Sequence, residues 1–400
     1  VTDVFLKRGR DRPVRNRHPW IFSGAVGRID TGAEDGEIVT VRDASGAFLA
    51  RGYLNRRSQI VVRLLSWDEG QPVDEAFWTQ RIVDAIARRQ DLAVDPETTA
   101  YRLVHAEADL VPGLIVDRYG DYLVMQCLTL GIARRRDSLV RALVQALSPV
   151  GIYERSDGEV RRREGLGLAT GVLYGEAPPP ETEIVEHGHR FLVDLAQGQK
   201  TGFYLDQREN RGALARHLKS LSVRGRTLLD AFSYSGGFSV YAARAGAGPV
   251  TLLDASTEAL ELARRNLRAN GQNLAEATFD QGDVFEVLRL YRDEGRSYDM
   301  IVLDPPKFAP TRRHVDRASR AYKDINLLAI KLLRPGGILF TFSCSGGVDA
   351  GLFQKIVFGA SVDAERDVQA IEWLAQGADH PVLLSFPESA YLKGLVCRVL

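Results

Sequence analysis

The chain has 400 residues, 45% of them hydrophobic and 26% charged, which is the balance of an ordinary globular protein with material for two or three domain cores. Fifty-two basic and fifty-two acidic residues cancel, so net charge neither favours nor excludes a nucleic-acid partner, and local clusters must decide. Three widely spaced cysteines exclude a disulfide framework and a zinc ribbon and fit a reducing compartment. No metal site is expected. With no signal peptide and no apolar run of membrane-spanning length, the expected location is the cytoplasm, with no membrane partner.

Residues 1–70 read as a small β-rich module. Lys7, Arg8, Arg10, Arg12, Arg15, Arg17 and His18 crowd in front of Trp20 and Phe22. Strand-like segments follow at Glu37–Arg42, Phe48–Tyr53 and Ile60–Leu65, with Gly46 and Asn55 at the turns. A basic cluster beside aromatics on a small β barrel suits RNA, with Arg15, His18 and Trp20 as candidates. The alternative is a sheet edge protected by solvated charges. Residues 71–190 read as a central α+β domain. Its linker helix lies in Pro72–Leu92, two strands flank a Tyr-Gly-Asp turn in LIVDRYGDYLVMQCL, a helix follows in ARRRDSLVRALVQAL, and GIYERSD is a further strand. Cys127 alternates with apolar residues and is expected in the core.

Residues 191–400 follow the Pro178-Pro179-Pro180 punctuation. Phe191–Arg211 is expected to form a hairpin feeding the first helix; its polar residues suggest a wall or lid over a ligand site, with Tyr204 and Asp206 toward the ligand and Lys200 as a further candidate for RNA. Thr227–Asp254 is the organising stretch: a short apolar run ending at Asp230, a small-residue loop through Phe232, Ser235 and Gly236, a helix, and a second apolar run ending on Asp254. That is a βαβ unit with an acid at the end of each strand. Ser256 caps the next helix, which the Asn270-Gly271 turn closes. A third strand ends near Asp283, a fourth in Asp304-Pro305-Pro306, and a fifth runs into Cys344. Leu327–Leu333 reads as helix, and His380–Leu400 as two closing strands joined by a hairpin. The succession is α/β, a doubly wound Rossmann-like sheet.

In such a sheet the ligand lies at the carboxyl ends of the strands. A dinucleotide fold would show G-x-G-x-x-G, which seats a pyrophosphate. Here an acid precedes the glycines in D-x-F-x-x-x-G-G, repelling phosphate and suiting the cationic methionine end of S-adenosylmethionine. Asp254 is then the residue for the ribose hydroxyls and Asp283 for the adenine amino group. Cys344, between two serines and ahead of two glycines, sits in a polar loop that favours thiolate access, unlike Cys127 and Cys397; the alternative is a small packing residue. Lys307 is a candidate for phosphate or base, or a solvated loop lysine.

HPWIFSGAV, LVPGLIVDRYGD, YERSD, GQKTGFYLDQR, DAFSYSGGFSVYAA, VLDPPKF, SCSGGVD and YLKG together resemble the RNA cytosine-C5 methyltransferases that join an N-terminal PUA domain to a class I S-adenosylmethionine domain, the bacterial 23S rRNA large-subunit enzymes. The resemblance spans essentially the whole chain. One departure is GEVRRREGL after YERSD, where a more regular S/A-V-R-x-x-E-G-L is expected. The resemblance implies 23S rRNA as partner, a homodimer, Cys344 adding to C6 of cytosine, and Asp304 bonding N3 or N4. The second cysteine that other RNA C5 enzymes carry in the fourth-strand motif is missing from DPPKF, so the base that removes the C5 proton is not named. Two rival readings stand beside this one. An exocyclic-amine methyltransferase also uses [DN]-P-P plus an aromatic, and an RNA-binding assembly factor would keep a vestigial cofactor fold.

Overall fold

The computed structural model describes every residue except 1, 221–224 and 309–314. The described residues group into two units. The first runs to Ile184 and adds Val193–Leu205 and Ala378–Ser389; the second comprises Val185–Leu192, Asp206–Gly377 and Ala390–Leu400.

The first unit holds two sheets. Strands β1 (Thr2–Leu6), β2 (Trp20–Phe22), β3 (Val26–Ile29), β4 (Ile38–Arg42), β5 (Phe48–Leu54) and β6 (Ile60–Ser66) form one, in the order β2-β6-β5-β4-β1-β3. Only β1 and β4 run parallel. The inward residues of the pleat, among them Val4, Val39, Val41, Val62 and Leu64, make its core. The second sheet is β11-β10-β9-β8-β7, built from β7 (Ala100–His105), β8 (Leu114–Tyr119), β9 (Tyr122–Cys127), β10 (Gly151–Ser156) and β11 (Ala169–Gly175). Helices Glu75–Ala87 and Arg136–Leu147 supply Phe77, Trp78, Leu139 and Leu143 to the same apolar cluster as Met125 and Cys127. Cys127 is a core residue, as its alternation predicts.

The hairpin expected within Phe191–Arg211 lies further upstream. β12 (Thr182–Glu186) pairs with β13 (His189–Val193). Its turn is His187-Gly188, both with positive φ (47° and 71°), the geometry that matches the twist of a two-residue hairpin. Turns then lead to helix Arg208–Ser220.

The second unit is a seven-stranded sheet. Its strands are β14 (Leu228–Ala231), β15 (Val250–Asp254), β16 (Ala277–Gln281), β17 (Tyr298–Leu303), β18 (Leu333–Ser343), β19 (Val368–Ala375) and β20 (Lys393–Val399), in the order β16-β15-β14-β17-β18-β20-β19. β14 to β18 are parallel, and β20 is antiparallel to both its neighbours. Parallel strands covered on both faces are apolar along most of their length, and Leu228 through Ala231, apolar except for Asp230, and Met300 through Leu303 are all buried. Helices Val284–Asp293, Val315–Leu332 and Ala350–Asp363 share one core with Leu229, Ile301, Leu339 and Cys397. On the other face Phe238 and His217 meet Phe342 and Phe340. This is the expected doubly wound sheet. The closing pair differs from expectation: β20 pairs with β19, and residues 380–392 between them form an irregular connection, not a strand. The helix before β18 also starts earlier than the sequence suggests, at Val315.

Candidate active site

The chain reverses strand order at β14, where β15 lies on one side and β17 on the other; a crevice at that switch point is where open α/β sheets bind ligands. The loop after β14 is tightly wound, with Phe232, Tyr234 and Gly236 all at positive φ (63°, 45° and 72°). It is tied in place from three directions. The Ser233 N–H bonds the Leu253 carbonyl (3.1 Å) and the Tyr234 N–H bonds Asp254 Oδ2 (2.8 Å). Asn266 Nδ2 donates to the Ser235 carbonyl (2.9 Å). A Cβ on Gly236 would stand 2.9 Å from Ala263 Cβ and 3.1 Å from Leu252 Cδ2, so helix Thr257–Ala269 and β15 leave room for glycine alone.

The acids lie at or near the strand ends, Asp230 one residue before the end of β14 and Asp254 at the end of β15. Asp230 is buried in β14, and its Oδ2 accepts from Ser239 N–H (3.1 Å) and Oγ (2.7 Å). Burial pushes its carboxyl up to about 7, and the negative charges of Asp304 and Asp254 add to the rise while the Ser239 bonds oppose it. Asp254 Oδ1 accepts from the Ser256 N–H (2.9 Å). Asp283 is exposed and caps helix Val284–Asp293, its Oδ1 accepting from the Phe285 and Glu286 N–H groups. Asp304 is half-buried, its N–H 3.5 Å from the Ala231 carbonyl. The charges of Asp304 and Asp254 both bear on the buried Asp230, and such a grouping of carboxylates suits a cation, which is what the sulfonium and ammonium of S-adenosylmethionine supply. The donor set fits that cofactor.

Beside it, Leu303 pairs with Thr341, so Asp304 and Cys344 leave adjacent parallel strands at the same end. Cys344 is half-buried and in no disulfide, between the buried Ser343 and Ser345. Cys127 and Cys397 differ from it, burial pushing both thiols up to about 12. Lys307 is exposed, and Phe308 packs inward, its ring 4.8 Å from Tyr322 and 5.8 Å from Phe285.

The remaining sequence candidates have definite partners. The Asp206 carboxylate is buried in the second unit and accepts from Tyr391 Oη (2.7 Å). Tyr204 and Lys200 belong to the first unit, with the Lys200 ammonium 4.2 Å from the Tyr204 ring centroid and Tyr204 Oη bonded to Gln199 (2.6 Å). In the same unit Arg15 bonds Asp11 and Asp43. Trp20 gives its indole N–H to Glu107 (2.8 Å), and its ring lies 4.5 Å from Phe386, beside His18.

Two residues escaped the sequence reading. Lys393, at the start of β20, sends its ammonium to the carbonyls of Ser345 and Tyr391 (both 2.8 Å). Ser239 anchors Asp230. The signal for Lys393 is a lone lysine opening an apolar strand in YLKGLVCRV.

Residues 159–366 match the S-adenosylmethionine-dependent methyltransferases, and residues 4–67 match the PUA-like domains. The chain belongs to the S-adenosylmethionine-dependent methyltransferase family and carries a PUA-like domain at its N-terminal end. It is 46% identical over 397 residues to the ribosomal RNA large subunit methyltransferase I of Erwinia tasmaniensis, covering 99% of each. To the protein of that name in Aliivibrio fischeri it is 47% identical over 399 residues, covering 100% of each. A Streptococcus mutans protein described as a SAM-dependent methyltransferase shares the fold over the full length of both chains (TM-score 0.86, 24% identity), as does a methyltransferase solved in complex with SAH.

Proposed function

We propose that this chain methylates C5 of one cytosine in 23S ribosomal RNA of the large subunit through a covalent bond between Cys344 and C6. The observation that carries the reading is the parallel pairing of β17 and β18, which brings the Asp304 and Cys344 segments out side by side, next to the acid cluster at β14. Full-length identity to large-subunit rRNA enzymes supports the substrate class.

C5 of cytosine is too weak a nucleophile to take a methyl group unaided. The Cys344 thiolate adds to C6, and the electrons of the C5–C6 double bond move toward N3, where the Asp304 carboxyl, protonated for this role, hydrogen-bonds N3 or N4 and stabilises the charge that develops. S-adenosylmethionine, when bound, supplies an electrophilic methyl to the enamine-like C5. Loss of the C5 proton to a base then restores the double bond as the C6–S bond breaks and the thiolate returns. Within this reading Asp254 bonds the ribose hydroxyls, Asp283 the adenine amino group, and Lys307 an RNA phosphate. The exposed basic run ahead of Trp20 contributes to RNA binding.

Phe308 weighs against exocyclic-amine chemistry. That reaction stacks the target base on the aromatic after the [DN]-P-P motif, whereas this ring is engaged by Tyr322 and Phe285.

The test incubates the protein and Cys344→Ala with S-adenosylmethionine and unmodified large-subunit rRNA, and maps 5-methylcytidine by mass spectrometry. One new 5-methylcytidine that vanishes in the variant is expected. Methylation that survives Cys344→Ala would move the assignment to amine chemistry, and no methylation on any rRNA form would leave a binding factor.

A further inference from the structure

We propose that Lys393 is a positioning residue whose ammonium, fastened to the backbone beside Cys344, holds that thiol in its ionised form. The inference rests on the reading of Cys344 as the nucleophile and adds the group that activates it.

The geometry begins with strand register. β20 runs antiparallel to β18 with Lys393 opposite Ser343, so the lysine stem rises beside the Ser343-Cys344-Ser345 segment. Its Nζ donates to the Ser345 carbonyl, on the far side of Cys344, and to the Tyr391 carbonyl, both at 2.8 Å. Two neutral carbonyls fix where the ammonium sits without neutralising it, and the site is half-buried. Four groups set the local electrostatics. Cys344 and Asp349 favour the Lys393 cation, Lys307 opposes it, and Tyr322, which also feels Cys344, is kept a neutral phenol by burial and bonds Ser345 Oγ (3.0 Å). Asp349 is exposed and occupied as the cap of helix Ala350–Asp363, accepting from the Leu352 N–H. Of the two anionic groups, Cys344 is the one whose neighbouring carbonyl, that of Ser345, the ammonium binds. The attraction is mutual: what favours the cation at Lys393 favours the thiolate at Cys344. Burial, the largest influence on Lys393, brings it down to about 8, so the cation persists at neutral pH and is lost above that value.

The test needs neither RNA nor cofactor, so it fails separately from the assignment of the reaction. Iodoacetamide alkylation of Cys344 is followed against pH in the full chain by peptide mass spectrometry, with buried Cys127 and Cys397 as internal references. In Lys393→Met the apparent thiol pKa is expected to rise by about one unit or more, slowing alkylation at neutral pH by about tenfold. Lys393→Arg, which keeps a cation, should restore most of the rate. An unchanged titration in Lys393→Met overturns the proposal, and so does a shift that arginine does not repair. Should Lys393→Met not fold, the unaltered protein still decides. A thiolate held by an ammonium must show an apparent pKa that climbs with ionic strength, and a salt-independent value sinks the idea.

Discussion

Ser239 reaches Asp230 twice, its N–H and its hydroxyl converging on the same carboxylate oxygen at 3.1 and 2.7 Å. Two donors on a buried acid ordinarily hold it ionised, yet burial and the neighbouring Asp304 and Asp254 prevail, and the carboxyl stands at about 7. In the unfolded chain the same group ionises near 3.8. Between those values the folded state keeps a proton that the unfolded state has lost, so this group's contribution to stability falls as pH rises through the window. A cationic ligand reverses the preference by favouring the ionised form. Binding of S-adenosylmethionine should therefore release a proton below about pH 7, and affinity should drop by up to about tenfold per pH unit on acidification. Calorimetry in buffers of different ionisation enthalpy reads this directly, and pH-independent binding without proton release would contradict it.

Asp230→Asn separates the two effects. The amide oxygen can still accept both Ser239 bonds, while the buried charge disappears. At mildly alkaline pH the ligand-free variant should melt higher than the parent and bind S-adenosylmethionine at least about tenfold more weakly. A variant that melts lower and binds equally well would show that Asp230 is only a structural partner of Ser239.

The loop after β14 supplies a prediction of strain. Alanine at Gly236 must adopt φ near 72° and bring a methyl group to 2.9 Å from Ala263 Cβ. Each penalty is of order 1–3 kcal/mol. Gly236→Ala should lower the thermal midpoint and weaken S-adenosylmethionine binding, because relief comes only by moving the loop away from helix Thr257–Ala269. A midpoint within error of the parent would mean that the helix shifts at no cost.

How much of this was legible beforehand follows from the kind of strand involved. Parallel strands buried on both faces announce themselves as apolar runs, so the sites of Asp230, Asp254, Asp304 and Cys344 could be read from where those runs stop. β19 sits at the sheet edge and mixes Gln369 and Glu372 with Ile371 and Trp373. That pattern lost out to the more apolar PVLLSF, which is in fact an irregular connection. The β12–β13 hairpin was missed because His187 takes a positive φ that usually marks asparagine, aspartate or glycine. Lys393 was out of reach for another reason: its relation to Cys344 depends on antiparallel pairing across about fifty residues, which no local pattern reveals.

In the first unit the sharpest stability prediction concerns Glu164. Its carboxylate is buried, bonding Arg63 Nη2 and Asn55 Nδ2 at 2.9 Å each, and its carbonyl accepts a second bond from Asn55 (3.0 Å). Glu164→Ala leaves the buried Arg63 guanidinium with the more distant Glu107 carboxylate (3.8 Å), a loss of up to about 3–5 kcal/mol by analogy with other broken buried pairs. Urea unfolding followed by tryptophan fluorescence should show the early loss of this unit, which contains Trp20, Trp67 and Trp78. Unfolding coincident with the parent would show that water has taken the place of the carboxylate.

The basic run at the start of the chain divides by its partners. Arg15 is paired with Asp11 and Asp43, whereas Arg8, Arg10 and Arg12 are exposed and enter no ion pair among the described residues. If this face meets RNA, these three arginines are among those that displace counterions, and the paired one adds little. Each phosphate contact on single-stranded RNA contributes about 0.7 to the slope of log affinity against log salt. Replacing Arg8, Arg10 and Arg12 together by alanine should flatten that slope by up to about two and weaken rRNA binding most at low salt. Arg15→Ala should change both far less. Filter binding across a salt series, with S-adenosylmethionine affinity as the control for folding, measures the difference. An unaltered slope in the triple variant would remove the RNA role from this face, and an Arg15→Ala effect equal to that of its neighbours would mean its ion pairs open when RNA binds.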